Sequence, residues 1–395
     1  MRPPRSLPVA RLVSHLGKIV STSLLRDLFV TMPRATVPTA RPESNRVLLI
    51  GPIPPPAGGI ATHLAGLSRA LERNGLEVTV LDPARGKLVL LRELLVARRH
   101  TAIHLHVCGH NWSSYALALA CRACAGSAPV LVSIHSGIAP RYLGSVGLIA
   151  RWLAQAALRG ARTIVCVSSA IADAAKQIGV GKARIVVATP YIEERGELPP
   201  TPAAIDWAVG RRTPLVAAMV AAPDHEYGSD VLIAGFARFA AEHHASLLMV
   251  MGSDGVDRTV ADRLASMGLG EKVIAFGEVN HQTAMGVLRA CDLFVRPTRV
   301  DGDAVSVREA LALGRRVVAS DAATRPDGVV TFGNGDPDAL ARAMSAALQS
   351  APPPWTSTTI NGLDVLLNAY REAGCCLHEV MTCAESLDES TAPVE

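Results

Sequence analysis

Short apolar runs alternate along the chain with longer segments in which apolar residues recur every three or four positions. Residues 46–51 form the first apolar run, and the periodic stretch Ile60–Asn74 follows it and stops before Gly75. A short apolar run predicts a buried strand, and the three-to-four residue period predicts an amphipathic helix. Glycine directly after a periodic segment is a common end of a helix. The first elements are therefore predicted as a strand, a helix and, at residues 76–82, a second strand.

The same alternation continues, with strands predicted at 102–107, 130–135, 163–168 and 184–188 and helices between them. Four prolines, Pro199, Pro200, Pro202 and Pro214, interrupt it. It then restarts with strands at 214–220, 246–251, 272–276, 293–296 and 316–320. Strands that alternate with helices are typical of parallel sheets covered by helices on both faces. The pattern predicts an α/β protein with two Rossmann-like, doubly wound domains that face a cleft.

Six segments follow from this pattern. Residues 1–45 are predicted to be a basic leader and residues 46–198 a first domain. Residues 199–213 are a linker, residues 214–354 a second domain, residues 355–373 a further helix, and residues 374–395 an acidic, mobile tail.

The leader has two interpretations. Between Val9 and Val30 its apolar residues partly follow one helical stripe, and basic residues outnumber acidic ones over the first 46 positions. A basic amphipathic helix rests on anionic membrane surfaces, which predicts peripheral association with the inner face of a membrane. The alternative is an extension that packs on the first domain or stays mobile.

Composition excludes several classes of protein. Of the 395 residues, 49% are hydrophobic and 19% charged, which predicts a folded chain with a large core. Aromatic residues make up 4% and the net charge is +4, which argues against nucleic-acid binding. No apolar run is long enough to predict a membrane-spanning helix, and the start of the chain does not resemble a secretion signal. The eight cysteines lack the spacing of a disulfide framework or a zinc site, so Cys121-x-x-Cys124 is interpreted as helix packing and the protein as cytoplasmic.

The segment 291–321 carries the strongest signal of chemistry. It predicts a strand, a polar loop from Asp301 to Ala304, a helix that begins beside Ser306, and another strand. Ligands of open α/β sheets bind at such loops, and the free amides at a helix start favour phosphate. Gly302, Asp303, Ala304, Val305 and Ser306 are therefore predicted to surround a sugar and its phosphates. Glu309, one turn into the helix, is predicted to accept hydrogen bonds from sugar hydroxyls.

Glu309 also has a purely structural interpretation. In Ser306-x-x-Glu309 the acid has the spacing of a capping box, in which it would bond the amide at the start of its helix. Asp301-Gly302-Asp303 likewise invites a metal-ion interpretation, because hard carboxylate oxygens suit Mn²⁺ or Mg²⁺ under a diphosphate. The two-domain pattern argues against that metal site, and none is predicted.

Two further positions lie at the predicted ends of strands in the first domain. Gly58 and Gly59 precede a helix, and their missing side chains let a substrate approach the backbone closely, either at the donor diphosphate or at the acceptor. A plain glycine turn is the alternative. His135 ends an apolar strand. Its neutral imidazole is predicted either to accept a hydrogen bond from a sugar hydroxyl or donate one to it. The alternative is that its hydrogen-bond partners all lie within the protein.

Four segments together resemble the retaining GT-B glycosyltransferases of group 1, or family 4. They are Gly51-Pro-Ile-Pro-Pro-Pro-Ala-Gly-Gly-Ile-Ala-Thr-His63, Ser133-Ile-His-Ser-Gly137, Cys166-Val-Ser-Ser169 and the stretch Asp301–Asp321. The resemblance covers residues 46–373. It implies that the domain at 46–198 lies on the acceptor side of the cleft and that the domain at 214–354 binds the nucleotide sugar. It also implies that the helix at 355–373 crosses back onto the first domain and that transfer retains the anomeric configuration.

The resemblance also implies roles for individual residues. His135 would touch the donor sugar, and Glu309 would hold the nucleotide ribose as the second acid of a pair. The first acid, normally glutamate, falls at Asp301, with Asp303 close by, and which of the two serves is open.

One expected feature is missing. The family normally carries an Arg and a Lys after the first strand of the second domain, where they neutralise the leaving diphosphate. Residues 217–228 contain neither. The candidate replacements are Arg296, Arg299, Arg308, Arg325 and His225.

Together these observations predict a metal-independent, hexosyltransferase-type enzyme that needs no cofactor besides its nucleotide-diphosphate-sugar co-substrate. Its acceptor would be the hydroxyl of a glycan or lipid-linked glycan in polysaccharide biosynthesis. Two alternatives remain open, a non-catalytic GT-B subunit of a glycan assembly complex and a nucleotide-sugar epimerase.

Overall fold

The computed structural model describes residues 45–54, 58–86, 92–94, 97–181, 184–192, 199–210, 213–221, 224–353 and 362–377. The predicted leader helix between residues 9 and 30 and most of the predicted tail lie outside these residues. Within the described ranges, no helix is both long and apolar enough to cross a lipid bilayer.

The first lobe contains six strands, and helices connect most of them. The strands are β1 (Arg46–Ile50), β2 (Glu77–Leu81), β3 (Ala102–Val107), β4 (Val130–Ile134), β5 (Thr163–Cys166) and β6 (Ile185–Val187). The helices are α1 (Gly59–Arg73), α2 (Trp112–Cys124), α3 (Ala139–Ser145), α4 (Leu148–Gly160) and α5 (Ser169–Gln177).

The second lobe repeats the arrangement. Its strands are β7 (Leu215–Val220), β8 (Leu247–Gly252), β9 (Val273–Gly277), β10 (Leu293–Arg296), β11 (Arg316–Ser320) and β12 (Val329–Phe332). Its helices are α6 (Ala203–Asp206), α7 (Asp224–Tyr227), α8 (Ser229–Glu242), α9 (Val256–Ser266), α10 (His281–Ala290), α11 (Val305–Ala312) and α12 (Pro337–Gln349), and α13 (Leu363–Glu372) follows.

Both sheets are parallel throughout and doubly wound, but their strand orders differ. The order is β2-β1-β3-β4-β5-β6 in the first sheet and β12-β11-β10-β7-β8-β9 in the second. In each sheet the chain winds outward from its first strand in both directions, so the winding reverses between β1 and β3 and between β7 and β10. Ligands of doubly wound sheets bind beyond the carboxyl ends of the strands at this reversal. The predicted fold class is confirmed, and the topology directs attention to the loops after these four strands.

Burial explains why the strands form where they do. Every residue of β3, β4 and β8 is buried, and these strands are rich in Val, Leu and Ile. Strands covered on both faces have continuous apolar runs because neither face meets water. Side-chain caps set several helix starts: the Ser168 hydroxyl accepts from the Ile171 amide, and the Asn280 side chain from the Thr283 amide. Such caps satisfy amides that have no partner inside the helix.

The last described helix, α13, returns to the first lobe as predicted. Leu366, Leu367 and Tyr370 are buried in one cluster with Val47 and Leu49 of β1. The Tyr370 hydroxyl lies 2.6 Å from Nδ1 of His104 on β3, inside this cluster. Helix α13 therefore completes the core of the first lobe.

Several elements differ from the predicted pattern. Helix α4 corresponds to the helix expected over 146–160, whereas the short helix α3 before it was not predicted. Val146 and Gly147 adopt extended backbone between the two helices. Strand β12 was not predicted, since Val329–Phe332 lies partly exposed at the sheet edge and its apolar run is short. The segment predicted as a linker holds α6, whose Ile205 is fully buried in the second lobe together with Ala208.

Candidate functional site

The two lobes touch through backbone atoms of two loops that follow β4 and β10. A side chain on Gly137 would overlap the Asp301 carbonyl, and one on Gly302 would overlap the His135 carbonyl. Only glycine allows backbones to approach this closely. The contact brings the predicted residues His135, Asp301 and Gly302 into one place.

The first lobe also covers the start of α11, where phosphate was predicted to bind. Ala304, Val305 and Ser306 are each less than a tenth exposed. A Cβ added to Gly59, the first residue of α1, would lie 3.7 Å from the Val305 side chain, whereas one added to Gly58 would meet open space. The predicted phosphate site is therefore largely covered by protein atoms in this structure.

Asp301 holds two arginines. Its Oδ2 lies 2.8 Å from Nη1 of Arg325 and 3.3 Å from Nε of Arg296, and it also accepts from the Thr298 hydroxyl. Burial tends to raise the pKa of Asp301, but the two guanidinium groups outweigh it and the net shift is downward. The carboxylate is therefore ionised at neutral pH, and with two arginines the group carries one net positive charge.

Asp303 is committed to a different partner. Nε and Nη2 of Arg308 each donate to one of its carboxylate oxygens at 2.6 Å, and both side chains are more than 90% buried. Burial raises the pKa of Asp303 despite this pair. Because arginines already occupy the carboxylates of Asp301 and Asp303, the D-x-D spacing does not offer a cation a pair of free oxygens.

The remaining candidates for the missing basic pair are placed as follows. Arg299 makes a two-point ion pair with Asp230, at 2.6 and 2.8 Å. The Arg296 guanidinium lies 5.2 Å from the centre of the Tyr227 ring. His225 is exposed on the short helix α7. Arg299 and Arg308 each pair with a single carboxylate, so neither pair has a net charge. Among these candidates, the unbalanced positive charge therefore lies in the group of Arg296, Asp301 and Arg325.

Glu309 does not belong to a capping box. The cap residue of α11 is Ala304, and no side chain bonds the first amides of the helix. The Glu309 carboxylate instead makes a close hydrogen bond with Nε2 of His281 on α10. Its side chain is 6% exposed, whereas that of His281 is 29% exposed. The structure thus removes the capping interpretation and leaves Glu309 paired with a histidine that sequence reasoning did not single out.

Glu309 and His281 line a cavity of about 300 Å³ between the lobes. One wall belongs to α1 and the loop before it, a second to the loop after β6, and a third to α10 and α11. The lining residues are Pro54, Thr62, Ala65, Gly66, Arg69, Tyr191, Ile192, His281, Gln282, Met285 and Glu309. Apolar walls with a few convergent polar groups are typical of small-molecule sites.

His135 belongs to a cluster of histidines. Its Nε2 lies 3.1 Å from Nδ1 of His106 on β3, and His63 of α1 lies against both rings. Burial lowers the pKa of His63 to about 4 and holds those of His106 and His135 well below the usual value. All three rings are therefore neutral at neutral pH. His104 and His106 alternate with leucine along one strand, a signal that they share a face.

Cys108 lies in a polar loop directly after β3. The Asn111 amide donates to its Sγ at 3.4 Å, and the Ser114 hydroxyl lies at 3.5 Å. Burial tends to raise the pKa of the thiol, yet hydrogen bonds from His110 and Ser114 outweigh it and lower the pKa to about 6. The pKa of His110 is raised in turn, chiefly by its bond to Cys108. A thiolate thus lies at the winding reversal of the first sheet.

Alkylation of native protein by iodoacetamide should reveal this thiolate. The rate at Cys108 is expected to rise through a midpoint near pH 6, because the group loses its proton there and the thiolate is the nucleophile. Peptide mass mapping across pH measures it. Buried Cys121 and Cys166, whose pKa values burial raises to about 12, serve as internal controls that stay unlabelled. A midpoint near that of a free thiol, about 8.5, would contradict the assignment.

Two family models match the chain. The model described as glycosyl transferase 4-like domain matches residues 82–190, and the model described as glycosyl transferases group 1 matches residues 213–350. No curated protein matches the sequence.

Three solved structures illustrate the similarity of fold. Anabaena HepE, in complex with UDP-glucose, is 15% identical with a TM-score of 0.62, covering 84% of this chain and 100% of that one. The catalytic domain of starch synthase IV from Arabidopsis thaliana, bound to ADP and acarbose, is 14% identical with a TM-score of 0.61 and the same coverage. Sucrose-phosphate synthase from Thermosynechococcus elongatus is 18% identical with a TM-score of 0.58, covering 83% of this chain and 94% of that one.

Because the sequence identities are below 20%, the similarity to these structures shows the fold alone. The two family models indicate that the protein is a glycosyltransferase. The 4-like model falls on the first lobe and the group 1 model on the second, in the order in which the two sheets follow along the chain. The chain is therefore a glycosyltransferase of the GT-B fold.

Proposed function

We propose that the protein transfers a hexose from a nucleotide-diphosphate sugar to a hydroxyl of a glycan or lipid-linked glycan. The observation that carries the proposal is the placement of Glu309, a buried carboxylate that faces a cavity walled by both lobes. A carboxylate accepts hydrogen bonds from two neighbouring hydroxyls, as a ribose presents them. In this proposal Glu309 binds the ribose, and His281 holds the carboxylate in position.

The likeness to structures solved with UDP-glucose and with ADP supports a nucleoside diphosphate as the leaving group. In our proposal its phosphates bind at the start of α11, close to Gly302 and Ser306. Free amides and the helix dipole favour an anion there, the dipole contributing about 0.3–1 kcal/mol. Since Gly137 and Gly302 now touch, the donor enters while the lobes are apart and the contact re-forms around it.

The group formed by Arg296, Asp301 and Arg325 replaces the missing Arg and Lys in this proposal. It has two positive charges and one negative charge, and it adjoins Gly302 at the entrance to α11. Groups that stabilise developing charge are worth several kcal/mol in a site that excludes water. This group needs no divalent cation on the diphosphate, which is why we propose transfer without metal assistance.

Retention of configuration is proposed on two grounds, the resemblance of the motifs and the charge of the first lobe. From residue 94 to residue 172 the chain has no aspartate or glutamate, so the loops after β3, β4 and β5 supply no carboxylate to act as a base on the acceptor. An inverting mechanism based on such a carboxylate is therefore disfavoured. Proton NMR of the anomeric position in the first-formed product distinguishes the two outcomes.

The side chains of residues 94–172 also support the proposal that the acceptor is held at a membrane. This stretch contains seven arginines, and two of its helices start with exposed apolar side chains: Leu148, Ile149 and Trp152 are 86%, 82% and 65% exposed, and Trp112 is 60% exposed. Helices α2 and α4 pack together and both begin at the carboxyl edge of the sheet, beside the cleft. Apolar and basic side chains together favour an anionic lipid surface. We propose that the protein works at the cytoplasmic face of such a membrane.

Two other functions remain testable. A non-catalytic GT-B subunit would bind donor without turnover, and an epimerase would convert the donor without any acceptor. Incubation of the full-length protein with a panel of nucleotide sugars, with and without lipid-extracted acceptors, separates transfer, epimerisation and binding alone.

Glu309→Gln should weaken donor binding by about tenfold to a hundredfold. A hydrogen bond to a charged group contributes about 1.5–3 kcal/mol, and tenfold corresponds to about 1.4 kcal/mol. Calorimetric titration with UDP, ADP and GDP and their hexose derivatives measures the loss. Asp338→Asn, which changes an exposed carboxylate on α12, is the matched control and should bind as the unchanged protein does. Equal affinities for the Glu309 variant and the control would exclude a role on the ribose.

Arg325→Gln should lower kcat by about tenfold to a hundredfold with a smaller change in KM, because its charge acts on the leaving group. Arg325→Lys keeps the charge and should recover part of the rate. Arg299→Gln is the control, since Arg299 is neutralised by Asp230. Steady-state assays with thermal melts check that the variants are folded. A decrease in kcat for Arg299→Gln as large as that for Arg325→Gln would count against the proposal.

Gly137→Ala should reduce kcat at least tenfold while the lobes remain folded. The added methyl group overlaps the Asp301 carbonyl and prevents the two loops from meeting. Gly144→Ala is the matched control, because a Cβ there meets open space. Turnover rates compared with small-angle scattering of both variants measure activity and lobe separation. Normal turnover by the Gly137 variant would show that this contact is dispensable.

Vesicle co-sedimentation tests the membrane surface. The protein should sediment with phosphatidylglycerol vesicles more than with phosphatidylcholine vesicles, and less at high salt, which screens the arginines. Trp152→Ser should reduce the bound fraction several-fold, whereas Trp207→Ser, at a tryptophan 51% exposed elsewhere, should not. If the two substitutions reduced the bound fraction equally, the surface around Trp152 would not be the membrane contact.

A further inference from the structure

Three histidines from three elements of the first lobe form a nearly equilateral triangle. The ring centres of His63 and His106 are 5.4 Å apart, those of His63 and His135 5.3 Å, and those of His106 and His135 5.3 Å. One ligating atom from each residue lies within 4.8 Å of the other two. The triangle lies beside the contact of the lobes, where the His135 carbonyl meets Gly302.

This spacing is that of three imidazoles around one metal ion. Zinc–nitrogen bonds are about 2.0–2.1 Å long, so a ring centre lies about 3.2 Å from a bound ion. Tetrahedral angles then separate the ring centres by about 5.2 Å, close to the three observed values. A half-turn of a ring exchanges its nitrogen and carbon positions without moving its centre, so the match does not depend on which nitrogen faces the ion.

Hydrogen bonds within the protein do not satisfy the cluster. His106 is 3% exposed, and its Nε2 has no hydrogen-bond partner among the described residues. A buried polar atom without a partner is costly and unusual in a folded protein. By contrast, both nitrogens of the neighbouring His104 are used, one by Tyr370 and one by Ser133. A ligand in the triangle would account for the difference between these two histidines of one strand.

The surroundings favour a borderline transition metal over a hard cation. The donors are three imidazoles, and no aspartate or glutamate occurs between residues 94 and 172, where two of them lie. Calcium and magnesium require oxygen ligands, whereas imidazole suits zinc, copper and nickel. The backbone amide of Tyr191 donates to Nδ1 of His63 at 2.8 Å, which fixes the ring and leaves Nε2 as the nitrogen available to an ion. An ion bound at Nε2 would displace the proton that this tautomer carries there.

We propose that His63, His106 and His135 bind one zinc-class divalent ion between α1, β3 and the loop after β4. Among the described residues the group has three protein ligands, which leaves a fourth position for water or a hydroxyl group. The ion would join the first helix of the lobe to the loop that meets Asp301 and Gly302. Binding of this ion requires no donor, so it is measured on the protein alone, although His135 is also the residue predicted to contact the donor sugar.

The test uses full-length protein without a histidine tag, stripped with a chelator and re-equilibrated with ZnCl₂ or CoCl₂. Elemental analysis after desalting should give one ion per chain. The Co²⁺ form should show the intense visible absorption of tetrahedral coordination, and zinc should raise the melting temperature of the stripped protein. These readouts do not involve activity, so they stand apart from the test of the proposed function.

Substitutions locate the site. His106→Phe fills the same space without nitrogens and removes the unpaired atom, so the stripped variant should fold while losing the bound ion, the Co²⁺ spectrum and the zinc-dependent shift. His63→Gln should weaken metal binding at least tenfold. His100→Gln is the control, since His100 lies on the same lobe, outside the triangle, and contacts the Ala97 carbonyl. Less than a tenth of an ion per chain, or a Co²⁺ spectrum in His106→Phe equal to that of the unchanged protein, would overturn the proposal.

Discussion

The backbone contact between Gly137 and Gly302 decides which side chains of the two lobes meet. It joins the loop after β4 to the loop after β10, at the carboxyl edges of two parallel sheets. Because each sheet reverses its winding near this edge, the contact brings both ligand-binding edges of the fold together. The cavity beside Glu309, the covered start of α11 and the histidine cluster are all arranged around it. A larger residue at either glycine would hold the lobes apart.

Charge is distributed very unevenly between the two lobes. The second lobe holds arginines and carboxylates in buried pairs, with one unbalanced positive charge at Arg296, Asp301 and Arg325. The first lobe has, along most of its middle, arginines and neutral histidines but no carboxylate. Buried ion pairs stabilise little overall because both charges lose water, but they hold the side chains in fixed positions. Paired arginines therefore hold the loop at Asp301 in place, and the uncompensated charge is the one that we propose acts on the diphosphate.

Some of the site follows from local sequence and some does not. The loop at Asp301 and the helix after it were predicted because strand, loop and helix signals lie next to one another in the chain. The pairing of Asp301 with Arg325 and of Glu309 with His281 was not, since the partners come from elements 24 and 28 residues away. The same holds for His63 and His106, which meet His135 only because α1, β3 and β4 lie side by side. Whether the predicted contacts of His135, Gly58 and Glu309 with a donor occur stays a prediction.

The alternation of apolar strands and amphipathic helices was enough to determine two parallel, doubly wound sheets, because burial on both faces of a strand requires continuous apolar runs that a short window reveals. It also located the helix that returns to the first lobe. Only the tertiary structure decided the partners of each charged group, the cover over the start of α11 and the grouping of three histidines. Those features depend on distances between elements remote in the chain, and such distances are set by the packing of whole lobes and leave no local pattern.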